Sequence, residues 1–257
     1  MLPMKKTVVI TGGANGIGRC LAQAMLQDGD KVIVVDIDET RGCAFERAHT
    51  PDLVFIHTDL STPEGRAKAV KAIKDTGLMV DVLVHNAAIG KGGLLTADEH
   101  DFMDVLAVNL IAPFSLTKGL MGRLSSGASV INIASTRAFQ SQPDGEAYAA
   151  SKGGLVALTH AMAMTLAGKA RVNAIAPGWI DTASCTHEAV DHEGPDHRQH
   201  PSGRIGSPAD IVKAVLYLSD SDNRFINGQT IVIDGGMTRQ MIYHQDHGWS
   251  YDPEPKS

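Results

Sequence analysis

The stretch Thr7-Val-Val-Ile-Thr-Gly-Gly-Ala-Asn-Gly-Ile-Gly18 decides the architecture. Its first four residues are β-branched and suit a buried strand. Glycines then punctuate a turn, and Leu21, Met25 and Leu26 recur at helical spacing. Strand, glycine turn and helix form the opening of a dinucleotide-binding βαβ unit. Glycines let backbone approach a pyrophosphate, and the N-terminus of the following helix favours its charge, which selects Gly12, Asn15, Gly16, Ile17 and Gly18 as the phosphate turn. The spacing Gly12-x-x-x-Gly16-x-Gly18 is not the usual Gly-x-Gly-x-x-Gly. A tight structural turn is the alternative, and the position after a first strand speaks against it.

Working outward, Lys31-Val-Ile-Val-Val35 reads as a second strand ending at Asp36. A carboxylate there suits a ribose 2′-hydroxyl and repels a 2′-phosphate, and Ile37 follows where a basic residue would welcome one. This favours NAD over NADP; a strand-end Asp capping a turn remains an alternative, since Asp38 and Glu39 come next. Leu53 to His57 gives another strand, followed by Thr58-Asp59-Leu60 and a helical pattern over Gly65 to Lys74. Val80 to His85 is a fourth strand, closed by the small residues Asn86-Ala87-Ala88-Ile-Gly90, which let a flat nucleotide approach the sheet edge. Strands and helices alternating at this pace predict a parallel, doubly wound sheet in a single α/β domain over residues 1–240.

The next helix is expected from Asp98 to Met121, with Asn109 inside an apolar run. Pro113 has no amide proton, so the Asn109 carbonyl loses its helical donor and a local kink follows. Ser129 to Ala134 reads as a strand leading to Ser135; Ala147 to Met164 reads as a helix carrying Tyr148 and Lys152 four apart, on one face. A lysine one turn from a tyrosine favours the phenolate, and a serine hydroxyl can bond the same substrate oxygen, which makes a proton-transfer site for a carbinol or carbonyl. A surface Tyr and Lys on an ordinary helix is the plain alternative. Arg171 to Gly178 is a strand breaking at Pro177-Gly178, followed by Trp179, Ile180 and Thr182. Residues 183–206 read as a mobile substrate lid with scattered surface histidines (His187, His192, His197, His200) at spacings that fit no standard zinc motif, so no metal is expected. Ser207-Pro208 starts another helix, Gly228 to Asp234 is a last strand, and 241–257 is a tail.

The 257 residues carry a net charge of -6, which argues against nucleic acid or an anionic membrane surface as the main partner. Three scattered cysteines (Cys20, Cys43, Cys185) suggest a reducing compartment and no disulfide framework. With no signal-peptide core and no stretch expected to span a membrane, a cytoplasmic protein is the default.

Together these pieces resemble a short-chain dehydrogenase/reductase of the roughly 250-residue type, from Thr7 to about Met237. The resemblance rests on Thr11-Gly12-x-x-x-Gly16-Ile17-Gly18, Asp36, Asp59-Leu60, Asn86-Ala87-Ala88, Asn109, Ser135, Tyr148-x-x-x-Lys152, Pro177-Gly178 and Thr182. It implies a three-layer α/β/α Rossmann-type fold with seven parallel strands and a bound nicotinamide nucleotide. It further implies Tyr148 as acid/base, Ser135 positioning the substrate oxygen, Lys152 lowering the tyrosine pKa and holding the nicotinamide ribose, and Asn109 holding a relay water. Asp59 and Leu60 would lie near adenine, Ile180 and Thr182 near the carboxamide. His85-Asn86-Ala87-Ala88 departs from the family, which more often has a second Asn and a Gly there. A homo-oligomer, dimer or tetramer, is implied, with Ala157, Ala161 and Ala163 permitting close packing. The reading is an NAD-dependent oxidoreductase acting on a small polar secondary alcohol or ketone (a sugar, polyol or hydroxy acid), because the lid offers few apolar contacts. Its pocket would involve Ser135, Arg137, Gln142, Trp179 and His187. An apolar-alcohol dehydrogenase, or an NAD-sensing protein without catalysis, is the alternative; a sensor has no reason to keep all four of Asn109, Ser135, Tyr148 and Lys152.

Overall fold

The computed structural model describes residues 5–183, 192, 194–243 and 245–248. Seven strands, β1 (Thr7–Thr11), β2 (Lys31–Asp36), β3 (Leu53–His57), β4 (Val80–His85), β5 (Leu124–Ile133), β6 (Ala170–Pro177) and β7 (Thr230–Ile233), form one sheet in the order β3-β2-β1-β4-β5-β6-β7. Every pairing is parallel. The order reverses between β1 and β4, so their carboxyl ends diverge and leave a crevice, the usual place for a ligand in such a sheet.

Alternation along the strands explains the layers. Val8, Ile10, Val32, Val34, Val82 and Val84 cluster with Leu21 and Met25 of helix α1 (Gly16–Gln27) and with Ile211, Val215 and Leu218 of another helix (Pro208–Ser219). Their neighbours Val9, Ile33, Val35, Leu83 and Val130 point the other way. There they meet Ile73, Leu116, Leu120 and Met162 from three helices on the opposite face. In chain order the helices are α1, α2 (Glu39–His49), α3 (Pro63–Asp75), α4 (Glu99–Leu106), α5 (Ala112–Leu120), α6 (Glu146–Thr165), α7 (Gly194–Arg198) and α8 (Pro208–Ser219).

Several expectations change. Helix α2 carries no strong apolar stripe, with only Gly42 and Phe45 buried, so periodicity did not reveal it. The helix expected from Asp98 to Met121 is interrupted by a π turn at Ala107–Ile111, where Ala112 N–H reaches back to the Ala107 carbonyl. Pro113 accounts for the break, since it cannot donate to Asn109. The run Glu99–Arg123, with mean hydropathy 1.4, is long and apolar enough to cross a membrane, contrary to expectation. In the fold its apolar face is core: Val105, Leu116 and Leu120 are fully buried. Cys20 is disulfide-bonded while Cys43 is free, so the expectation of reduced cysteines throughout does not hold.

Candidate active site

The crevice between β1 and β4 is closed at its floor by Asn86. Its side-chain amide donates to the carbonyls of Thr11 (3.1 Å) and Gly12 (2.9 Å), and Thr11 Oγ1 accepts from the amides of Asn86 (3.0 Å) and Ala87 (3.1 Å). Gly12 holds φ +65°, and a Cβ there would come within 2.8 Å of Ala87 Cα, so only glycine fits. Gly18 lies beneath the turn: an added Cβ would stand 2.1 Å from the Gly12 carbonyl oxygen. Asn15 caps α1 by accepting from Gly16 N–H at 2.8 Å and points the helix N-terminus at the crevice.

A cleft of about 510 Å³ opens there. Gly12, Asn15, Gly16, Ile17, Asp36, Ile37, Asp59, Leu60, Asn86, Ala87, Ala88 and Thr182, all singled out in the sequence as nucleotide-binding candidates, line it. Gly18, Pro177 and Ile180 do not. Gly18 is packing, Pro177 ends β6, and Ile180 is bridged to Gly206 and packed on the core. Thr58, Ser61 and Ile89 join the lining as residues not singled out as binders, adjacent to ones that were. The charged residues on its wall are Asp36, Asp59 and Asp104; no lysine or arginine is among the described lining residues. Asp36 accepts from Ala14 N–H (2.9 Å) and Asp38 N–H (3.0 Å), which fixes its carboxylate at the end of β2. Arg41 is paired with Asp38, and Arg19 lies over the Phe45 ring, so the cations of neighbouring segments are engaged elsewhere.

Beside the cleft is a second, larger cavity of about 810 Å³. Its wall includes Ser135, Arg137, Gln142, Tyr148, Gly178 and Trp179, and also Gln140, Gln199 and Met237, which sequence reasoning missed. The last two come from distant segments that only the fold brings here. His187 lies outside the described residues.

Asn109, Ser135, Tyr148 and Lys152 converge between the two. The π turn aims the Asn109 side chain inward, where it is fully engaged: Oδ1 accepts from Ile89 N–H at 2.9 Å, and Nδ2 donates to the Ile89 carbonyl at 2.9 Å and Ser151 Oγ at 3.0 Å. Ser151 Oγ donates in turn to the Tyr148 carbonyl at 2.8 Å. Asn109 thus ties the cleft wall at Ile89 to the helix that carries the tyrosine. Ser135 lies two residues beyond β5, where its hydroxyl accepts from Arg137 N–H at 3.1 Å, and it shares the cavity wall with Tyr148. Lys152 is 2% exposed; its Nζ donates to the Ile133 carbonyl at 2.7 Å and lies 5.5 Å from the Tyr148 ring centre.

Burial pushes the Tyr148 phenol above its ordinary value, against the Ser135 hydrogen bond and the Arg137 charge, which pull it down. Burial also draws the Lys152 ammonium down to about 7. The expected depression of the phenol by Lys152 is therefore not what these surroundings produce. The lysine is weakened as a cation by its own desolvation, and Arg137 supplies the positive charge that acts on the phenol.

Two of the lid histidines, His192 and His200, pack around Trp179 instead of standing scattered on the surface. His192 meets Trp179 edge-on at 5.4 Å, and His200, 2% exposed, bonds the Asp196 carbonyl at 3.0 Å and lies 6.2 Å from the Trp179 ring. Among the described residues no group of three or more potential ligands could hold a metal. Of the three α6 alanines expected at a subunit contact, Ala163 is fully buried in this chain's own core and is unavailable for one.

Residues 12–238 match the family model described as enoyl-(acyl carrier protein) reductase. An uncharacterized oxidoreductase from Thermotoga maritima is 39% identical over 252 residues, covering 93% of this chain and 98% of the relative. The solved structure of an apo SCOR enzyme from Clostridium thermocellum superposes with a TM-score of 0.88 at 41% identity, covering 98% of this chain and all of that one. A 4-hydroxyisoleucine dehydrogenase complexed with NADH gives a TM-score of 0.84 at 31% identity, covering 92% of this chain and 100% of the other.

Proposed function

We propose that this chain, which belongs to the short-chain dehydrogenase/reductase family and is an oxidoreductase, interconverts a small polar secondary alcohol and its ketone with NAD. The carrying observation is that Tyr148 and Ser135 share the wall of a cavity beside a cleft shaped for a nucleotide.

The residues present fit a nicotinamide dinucleotide. Gly12 and Gly16, both at positive φ, keep side chains out of the turn, and the N-terminal amides of α1 favour a pyrophosphate. Asp36 suits a ribose hydroxyl and would repel a 2′-phosphate, which favours NAD over NADP. The bound nucleotide supplies the hydride acceptor or donor. The protein's part is the proton. Tyr148 gives it to, or takes it from, the substrate oxygen, and Ser135 holds that oxygen by hydrogen bond. Lys152, its ammonium drawn down to about 7 by burial, is held on the Ile133 carbonyl one turn from Tyr148. Asn109, through Ser151, fixes the first turn of α6 on which Tyr148 stands. An oligomer and a lid over 183–206, within a domain spanning 1–240, complete the proposed organisation.

The side chains of Arg137, Gln140, Ser141, Gln142 and Gln199 on the cavity wall offer hydrogen bonds to a polar substrate, with Trp179 and Met237 as apolar contacts. The family model's description raises acyl-thioester reduction as a second reading. Both are tested by following the reduced-nicotinamide absorbance band. NAD and NADP would be offered with polyols, sugars, hydroxy acids and apolar secondary alcohols, and NADH and NADPH with acyl thioesters. Turnover with NAD and a polar alcohol supports the proposal, whereas turnover confined to acyl thioesters replaces it.

A further inference from the structure

Arg137 is a half-buried cation in the wall of the substrate cavity. Among the described residues no carboxylate lies within ion-pair distance of its guanidinium. Its side-chain partner is the neutral amide of Gln142. The two acids nearest it along the following loop are held by other groups, although Asp144 lines the same cavity. Asp144 accepts from the amides of Gly93 and Leu95, both at 2.9 Å, and from the Thr96 hydroxyl; Glu146 accepts from Leu94 N–H at 3.0 Å. Lys91, the other cation on this wall, is held by Asp101 at 2.9 Å and Asp104 at 2.8 Å. Space is kept for the guanidinium by Gly145, where a Cβ would stand 2.9 Å from Arg137 Nη1. Its backbone amide is tied to Ser135 Oγ, and it shares the cavity wall with Tyr148.

An arginine with two donor edges, a neutral partner and no ion pair among the described residues is suited to a carboxylate from outside. We propose that Arg137 anchors the substrate's carboxylate and that the substrate is a short hydroxy acid whose carbinol sits at Ser135 and Tyr148. This rests on the oxidoreductase reading of the same site and narrows its substrate class. The carboxylate fits Arg137 better than the neutral hydroxyls of a sugar or polyol, which leave the charge uncompensated. Arg137 is then a specificity residue.

The probes are lactate and 3-hydroxybutyrate, each against its own neutral amide, titrated calorimetrically into the protein holding NADH, where no turnover takes place. One of the acids is expected to bind at least about 10-fold more tightly than its amide, in line with a charge-assisted pair. In Arg137→Gln the acid-to-amide ratio should fall about 10- to 100-fold, and Arg137→Lys should keep most of it. Equal binding of acid and amide by the wild type, no binding of either acid, or a ratio unchanged in Arg137→Gln overturns the anchor. The parent reading fails separately: selective acid binding without NAD reduction by any alcohol would leave the anchor standing and remove the proposed NAD-dependent alcohol oxidation.

Discussion

His85 should make this protein acid-labile in a way one substitution removes. Its ring is 2% exposed; Nε2 lies 2.8 Å from Thr117 Oγ1, and the buried Nδ1 has no partner. Burial draws its pKa from the ordinary 6.5 down to about 3. The folded state therefore keeps the ring neutral while the unfolded chain takes a proton near 6.5, so stability present above that pH is lost on acidification. Between pH 7 and pH 5 the loss is about 2 kcal/mol, and by pH 4 about 3 kcal/mol, for a folded value near 3 at about 1.4 kcal/mol per unit. The first figure is insensitive to the folded pKa as long as that stays well below 5. The assay is urea unfolding of wild type and His85→Asn at pH 7, 5 and 4, compared as differences so that the remaining histidines cancel. The variant will be less stable at pH 7, having lost the Thr117 contact and filled less space. The gap should close by about 2 kcal/mol on going to pH 5. A gap that stays constant between pH 7 and pH 5 would mean that His85 is protonated in the folded protein, and would refute the reasoning.

Two further outcomes follow from the nucleotide cleft. Gly18→Ala places a Cβ 2.1 Å from the Gly12 carbonyl and 2.6 Å from Asn86 Nδ2, so the turn must move. Unfolding free energy should fall by about 1–3 kcal/mol and NADH affinity by at least about 10-fold; unchanged NADH fluorescence titrations would show that the turn does not set affinity. Asp36→Asn keeps an acceptor for the loop amides but removes the charge, and should lower the NAD-to-NADP ratio of kcat/KM by about 10-fold, about 1.4 kcal/mol of discrimination. An unaltered ratio would mean another group reads the ribose.

The sheet and its crevice were legible because they rest on patterns within short windows. β-branched runs ending in glycine, acid or asparagine placed β1, β2 and β4, and the turn glycines are dictated by local backbone. Even the break around Asn109 followed from one proline. What stayed hidden depends on packing across the chain. α2 has too weak an apolar stripe, and β5 starts five residues before Ser129 because Ser125, Ser126 and Gly127 interrupt the apolar run. Gln199 and Met237 reach the cavity from segments with no motif of their own. The surroundings of Tyr148 illustrate the same limit. Spacing on a helix put Lys152 one turn away, but the lysine's burial and Arg137's place on the same cavity wall as the phenol are tertiary facts.

The account turns on Tyr148 as the proton-transfer group, and Tyr148→Phe tests it most directly. Using the best alcohol of the panel with NAD, kcat should fall by about 100- to 10,000-fold, while NADH binding followed by nicotinamide fluorescence stays within about 3-fold, a cost under about 0.7 kcal/mol. Retained turnover with intact NADH binding would contradict the assignment and move the chemistry away from Tyr148.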